Sequence, residues 1–392
     1  MISPAHPVST MTPRATVLAA AALFSACAPG ASPADRADSA TNRAQAITPA
    51  VPAADTVPLP LVADTLRPVV ITDTLPGDSD DPAIWVNPTN PAKSVVLGTD
   101  KGDSTGGVYT FRLDGHVDRA RSVTPLLRMN NVDVEYGVAL GSLTTDIAVA
   151  TERNRMALRV FAMPTMRAID NGGIVVFSGD TARDPMGVAI YKRPRDGAVF
   201  AIVGGKAGPT NGTYLWQYRL SADGKGGVVG TKVREFGMYS GRKEIEAILV
   251  DDALGYVYYS DENVGVRKYH ADPDSGNVEL ALFATTGVAD DHEGLAMYAT
   301  DATTGYLVLS DQGANRIHVF TREGTAANRH EHLRLAVIPV MAQETDGLDI
   351  TSRPLGPRYP RGMLAMMSNR GAFHFYDWRD VDAAIKKASA PR

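Results

Sequence analysis

The chain of 392 residues contains one cysteine, Cys27, so it cannot close a disulfide within itself. Its fold must be held by packing, hydrogen bonds and bound ions. It also lacks an apolar run of the ~20 residues that a membrane-crossing helix requires. The strongest apolar stretch, 15–24, is too short for that. Missing too is a basic excess: 39 Lys and Arg stand against 44 Asp and Glu, a formal net charge of −5, which argues against non-specific binding to nucleic acid. What is abundant is glycine, with 36 residues, as suits a β protein with many turns.

Arg14 precedes the apolar stretch, which ends Leu23-Phe24-Ser25-Ala26-Cys27. Small residues just before a cysteine resemble a bacterial lipobox, so 1–27 reads as a signal segment with Cys27 the expected lipidation site. Residues 28–66 are rich in Ala, Pro, Thr and Asp without apolar periodicity, which predicts a disordered tether. The expected product is exported, periplasmic or at the cell surface, and held to a membrane only by lipid. A folded domain is expected over 67–382, a tail over 383–392, and a monomer in solution.

A short apolar strand with a polar turn recurs six times, ending at Lys101, Arg153, Lys206, Glu262, Gln312 and Arg370, spacings of 52, 53, 56, 50 and 58. Each leads into an aromatic-ended strand such as Val108-Tyr109-Thr110-Phe111 or Ile317-His318-Val319-Phe320. Before each copy another apolar strand begins, at Asp81, Asp133, Met186, Glu246, Glu293 and Asp346. A period of about 50 residues built of short strands predicts an all-β, six-bladed β-propeller. Val69-Val70-Ile71 is the candidate strand for closing the ring.

Propeller symmetry brings the strand-start positions to one rim of the channel. Five of those six are acidic, with Asp80, Asp261, Glu262 and Asp291 as neighbours. Carboxylates ~5 Å apart at an effective dielectric near 20 repel by roughly 3 kcal/mol per pair. Such a cluster calls for cations, and hard oxygen donors favour several Ca²⁺ ions. Lys101, Arg153 and Lys206, on three consecutive blades, form a basic arc suited to phosphate. The combination fits a small polyphosphorylated substrate attacked directly by a metal-activated water. Two other readings remain open at this point: a calcium propeller hydrolase of another ester, such as a lactonase, and a non-catalytic polyanion-binding propeller. His292 could support the acids from a second layer.

Seven segments, in order, resemble the β-propeller phytases. They are Asp80-Asp81-Pro82-Ala83-Ile84-Trp85, Asn130-Asn131-Val132-Asp133-Val134, Lys232-Val233-Arg234-Glu235-Phe236, Asp291-His292-Glu293-Gly294-Leu295, Ser310-Asp311-Gln312-Gly313, Thr345-Asp346-Gly347-Leu348-Asp349 and Leu355-Gly356-Pro357-Arg358-Tyr359-Pro360. The resemblance implies a calcium-dependent six-bladed propeller of the 3-phytase type that releases phosphate from phytate (myo-inositol hexakisphosphate). It implies calcium ligands at Asp81, Glu246, Glu262, Asp291, Glu293 and Asp346, and phosphate contacts at Lys101, Arg153, Lys206 and Arg234. Catalytic roles fall to Lys101, Arg153, Lys206, Glu246 and Glu262. The chain departs from the family pattern at Met186, Ala207, Gly102 and Glu135, all of which bear on substrate contacts.

Overall fold

The computed structural model describes residues 59–389 apart from 142 and 370. The signal segment, Cys27, the tether as far as residue 58, and Arg370 therefore lie outside the described residues.

Alternating apolar runs separated by tight turns give antiparallel strands, and the strands sort into six separate sheets. Blade 1 is Ser79–Trp85, Val95–Asp100 and Gly107–Arg112. Blade 2 is Met129–Leu140, Leu143–Glu152 and Ala157–Ala162, with Arg167–Ala168 and Ile174–Val175 sharing its outer edge. Blade 3 is Pro185–Lys192, Val199–Gly205, Leu215–Ala222 and Val228–Phe236. Blade 4 is Ile248–Asp251, Tyr256–Asp261, Gly265–His270 and Ala281–Phe283. Blade 5 is His292–Ala299, Gly305–Asp311, Arg316–Thr321 and Arg334–Pro339. Blade 6 is Leu348–Thr351, Met363–Ser368 and Ala372–Asp377, completed by Val70–Ile71 from the start of the domain. Val70 pairs with Phe375 and Ile71 with His374, so the expected closing strand does close the ring.

Each junction between neighbouring blades is sealed by one apolar cluster. Trp85, Leu97 and Val132 pack between blades 1 and 2, for instance, and Ile84, Val96 and Phe373 between blades 6 and 1. A sheet with both faces buried needs apolar residues on both sides, which is why the second strands read as unbroken runs such as Val95-Val96-Leu97.

Two expectations about the ends are corrected. Residues 59–66 belong to the domain, because Leu61 and Leu66 bridge in parallel to Val337 and Val340 on the edge of blade 5. Val62 and Leu66 are buried in the cluster between blades 5 and 6, and that apolar burial holds them. The tail is also structured from its start, since Trp378–Ala388 is a helix. Asp377 caps it by accepting from the Arg379 N–H, and Trp378, Val381 and Ile385 form its buried face. Trp378 stacks on Tyr298 of blade 5 with ring centroids 3.8 Å apart.

Candidate active site

All six inner strands run in the same direction, so their first residues meet at one mouth of the channel. The second strand of each blade returns antiparallel and ends beside that start. Ser79 pairs with Asp100, Met129 with Glu152, Pro185 with Gly205 and His292 with Asp311. The turn residues that follow, Lys101, Arg153, Lys206 and Gln312, are thereby set next to the strand starts.

A β-bulge decides which strand-start residue faces the mouth. In blades 1, 2, 3 and 5 the register shifts just after the first pair, leaving two residues without partners. The equivalent first residues of these bulges are Asp80, Asn130, Met186 and Glu293. Counting back from the paired Ile248 and Leu348 adds Glu246 and Asp346. The rim therefore carries four acids, one amide and one thioether. Asp81 and Asp133, expected there, lie deeper in the channel.

Two tight groups of carboxylates result. Oxygens of Asp80, Glu246 and Asp346 lie within 4.8 Å of one another, and so do those of Glu262, Asp291 and Glu293. Lys101 bridges the first group at 2.8 Å to Asp80 and 2.6 Å to Asp346. Asn130 donates to Asp80 at 2.8 Å and accepts from Arg153 at 3.2 Å, relaying between acid and base. Gln312 donates to Asp346. In the second group Asn263 donates to Asp291 at 3.1 Å, and the Lys243 ammonium sits 3.4 Å from Glu262 and in contact with Asp291. Lys206 pairs instead with Glu244 at 2.9 Å and remains about half exposed.

Burial dominates the electrostatics. It pushes the Glu246 and Glu293 carboxyls well above the usual carboxylate range, and neighbouring acids push further in the same direction. Glu262 and Asp346 are pushed up to about 7 by burial first; Lys243 and Lys101, respectively, oppose the shift. The buried Oε2 of Glu293 has no hydrogen-bond partner. An unsatisfied buried carboxylate oxygen beside two other acids is what a divalent oxygen-seeking cation would satisfy. The donor set fits calcium, with Asp80, Glu246 and Asp346 able to hold one side and Glu262, Asp291 and Glu293 the other.

Asp81 has a different task. Its Oδ2 accepts from the Val132 N–H of blade 2 at 3.1 Å, while Asp349 accepts from Ile84 of blade 1 and Asp133 from Ile190 of blade 3, both at 2.7 Å. These aspartates staple the inner strands of blades 6, 1 and 2 each to the backbone of the next blade around a channel cavity of about 70 Å³. Gly347 leaves space for the first of them, since a Cβ there would collide with the Asp81 carboxyl. Asp261 is likewise structural, bonding Ser240 and Arg267. His292 turns its Nε2 to the Ala284 carbonyl at 2.8 Å, away from the acids.

Arg234 is corrected as well. It lies on the outermost strand of blade 3, where the guanidinium stacks on Phe236 and bonds Asn277, His270 and Gly276 of the next blade. All of these partners are neutral, so burial pulls its pKa down to about 10. We expect Arg234→Ala to destabilise the domain by about 1–3 kcal/mol, since it removes the stacking on Phe236 and the bonds to several partly buried acceptors. Its KM for the substrate should not move; thermal melting and steady-state kinetics on the same preparation check this.

Sequence reading passed over Asn130 and Lys243. The alignment of Asn130-Asn131 with Asp80-Asp81 could have found the first. Lys243 sits in a loop outside the repeat and left no signal.

Two comparisons bear on the family. A family profile described as phytase matches residues 38–371. The 3-phytase of Bacillus subtilis (strain 168) is 30% identical over 301 residues, 73% of either chain. Among solved structures, a luciferin-regenerating enzyme superposes with a TM-score of 0.46 at 12% identity, covering 78% of this chain and 94% of that one.

Proposed function

This chain belongs to the phytase family and is a phosphomonoester hydrolase of the 3-phytase type; from that premise we propose that it releases phosphate from phytate with calcium held by the two carboxylate groups of the channel mouth. The observation that carries the reading is the meeting of two acid triads and a row of rim cations at one opening. When bound, calcium supplies neutralising charge at phosphate oxygens and lowers the pKa of water at the site.

The chain's own residues account for the rest. Asp80, Glu246, Asp346, Glu262, Asp291 and Glu293 concentrate negative charge where divalent ions can gather. Lys206, half exposed and bound to a single carboxylate, is free to turn to a phosphate group. Arg153 commits one of its donors to Asn130, leaving others of its planar fork for phosphate oxygens. Lys101, gripped by Asp80 and Asp346, fixes those acids relative to each other. A lactone would need no such cations, which favours a phosphate ester. Met186 brings a fully buried thioether to blade 3's place on the rim, so that position offers substrate no polar group and Lys206 is the blade's rim cation.

The test is phosphate release from phytate by the purified domain, with calcium and after chelation. Release with calcium and a loss of at least 99% after chelation are expected. Activity that survives chelation defeats the calcium role, and silence in both conditions defeats phytate as substrate.

We also propose export and lipid attachment through Cys27, supported by Arg14, the short apolar run and the lipobox-like ending. No helix among the described residues is long and apolar enough to cross a membrane. One chain supplies every group named at the mouth, in keeping with a working monomer.

A further inference from the structure

Lys243 reaches the second carboxylate group from a loop outside the six repeats. Its ammonium touches Asp291 and lies 3.4 Å from Glu262, on carboxylate oxygens of the group that would hold a divalent ion. Two cations cannot share those oxygens at contact distance. We propose that Lys243 is a tethered competitor for the Glu262–Asp291–Glu293 site: it lowers the site's calcium affinity, and when displaced it becomes a phosphate contact at the channel mouth. The inference rests on the calcium reading above and adds to it a residue that tunes ion and substrate binding together.

The loop supports an exchange made by the side chain alone, because its backbone is tied on both sides of the lysine. Ser240 bonds Asp261 through its N–H and its hydroxyl. Arg242 donates its N–H to the Ser240 hydroxyl at 3.1 Å and its guanidinium to the Asn263 carbonyl. The Tyr239 hydroxyl donates to the Lys243 carbonyl. The Glu262 N–H reaches the Glu244 carbonyl at 3.4 Å. The side chain, by contrast, is 45% exposed, so four rotatable bonds can carry the ammonium to the solvent side without moving the loop. Lys101 differs: its side chain is only 18% exposed and is clamped between two acids. Once displaced, the Lys243 ammonium stands on the same rim as Lys206, whose partner Glu244 is the next residue in the chain.

A half-exposed ion pair of this kind is worth little on its own, so the competition is modest. Calcium titration by calorimetry on the folded domain should show Lys243→Gln binding about three- to tenfold tighter at this site than wild type. Its KM for phytate at saturating calcium should rise by a similar factor. Lys243→Arg keeps the charge and should fall between the two. Arg242→Gln removes a cation one residue away without touching the acids and should bind calcium within about twofold of wild type. A lysine that merely braced the site would weaken calcium binding when removed, so the sign of the change decides. Unchanged or weaker binding in Lys243→Gln overturns the proposal, and so does equal tightening in Arg242→Gln, which would reflect the general field. A wild-type domain that binds no calcium overturns the calcium reading and this inference together.

Discussion

Glu246→Gln should lower calcium-supported phosphate release about 100-fold or more while making the calcium-stripped domain melt higher at pH 8. The two effects have one cause. Glu246 lies largely inside the channel mouth, its carboxylate faces Asp80 and Asp346, and Lys101 is the cation that offsets them. Burial and these neighbours make its ionised form costly, and glutamine has the shape of the protonated acid without the option of charge. Removing that charge relieves the repulsion in the stripped protein. It also removes an anionic oxygen that would hold calcium where the substrate's negative charge has to be met, and loss of a single group that stabilises such charge typically costs 10²–10³ in rate. An active site that is strained when empty predicts this opposition between stability and turnover. Phosphate-release kinetics and melting curves on the same preparation check it. A stripped variant less stable than stripped wild type would mean that Glu246 braces the fold.

A calcium-stripped domain should be most stable in mild acid and lose stability as pH rises from about 4 to 7. Burial pushes Asp133 up to about 7 and Asp349 up to about 6, above their unfolded value near 3.8. A raised carboxyl pKa means that the folded state holds protons the unfolded state has released. Its contribution is complete below about pH 4 and gone once pH passes the folded value. Together the two groups account for on the order of 3–7 kcal/mol, about 5–15 °C in Tm for a domain of this size. Glu262 and Asp346, raised to about 7, act in the same sense. Calcium needs those last two ionised, so its affinity should increase from pH 6 to pH 8 as protons are displaced. Melting of stripped and loaded protein at pH 5 and pH 8 reads both effects. A stripped domain that melts higher at pH 8 than at pH 5 would sink the account.

The separation of Asp80 from Asp81 shows where sequence reading stops. Both sit at the start of the same strand, and repeat alignment favours Asp81 because an apolar strand follows it. The bulge between Ser79 and Pro82 turns Asp80 to the mouth and leaves Asp81 deeper in the channel, bonded to the next blade. A one-residue change of register exchanges the two faces of a strand, and a bulge is a local choice that a hydrophobic pattern does not record. Arg234 makes the same point for a side chain. Its segment matches the family, yet its guanidinium is consumed by the neutral oxygens of the next blade.

Six blades, their order, the closing strand Val70–Ile71 and an abundance of acids at the strand starts follow from the chain alone. Repeat length and apolar alternation are periodic, and periodic signals survive without coordinates. Tertiary structure alone decided that Asp80 replaces Asp81 on the rim, that Asp133 and Asp349 staple neighbouring strands, and that Lys243 reaches the second acid group. The first is set by strand pairing inside blade 1 and the others by side chains that reach across to a neighbouring blade or loop, and a repeat pattern records neither.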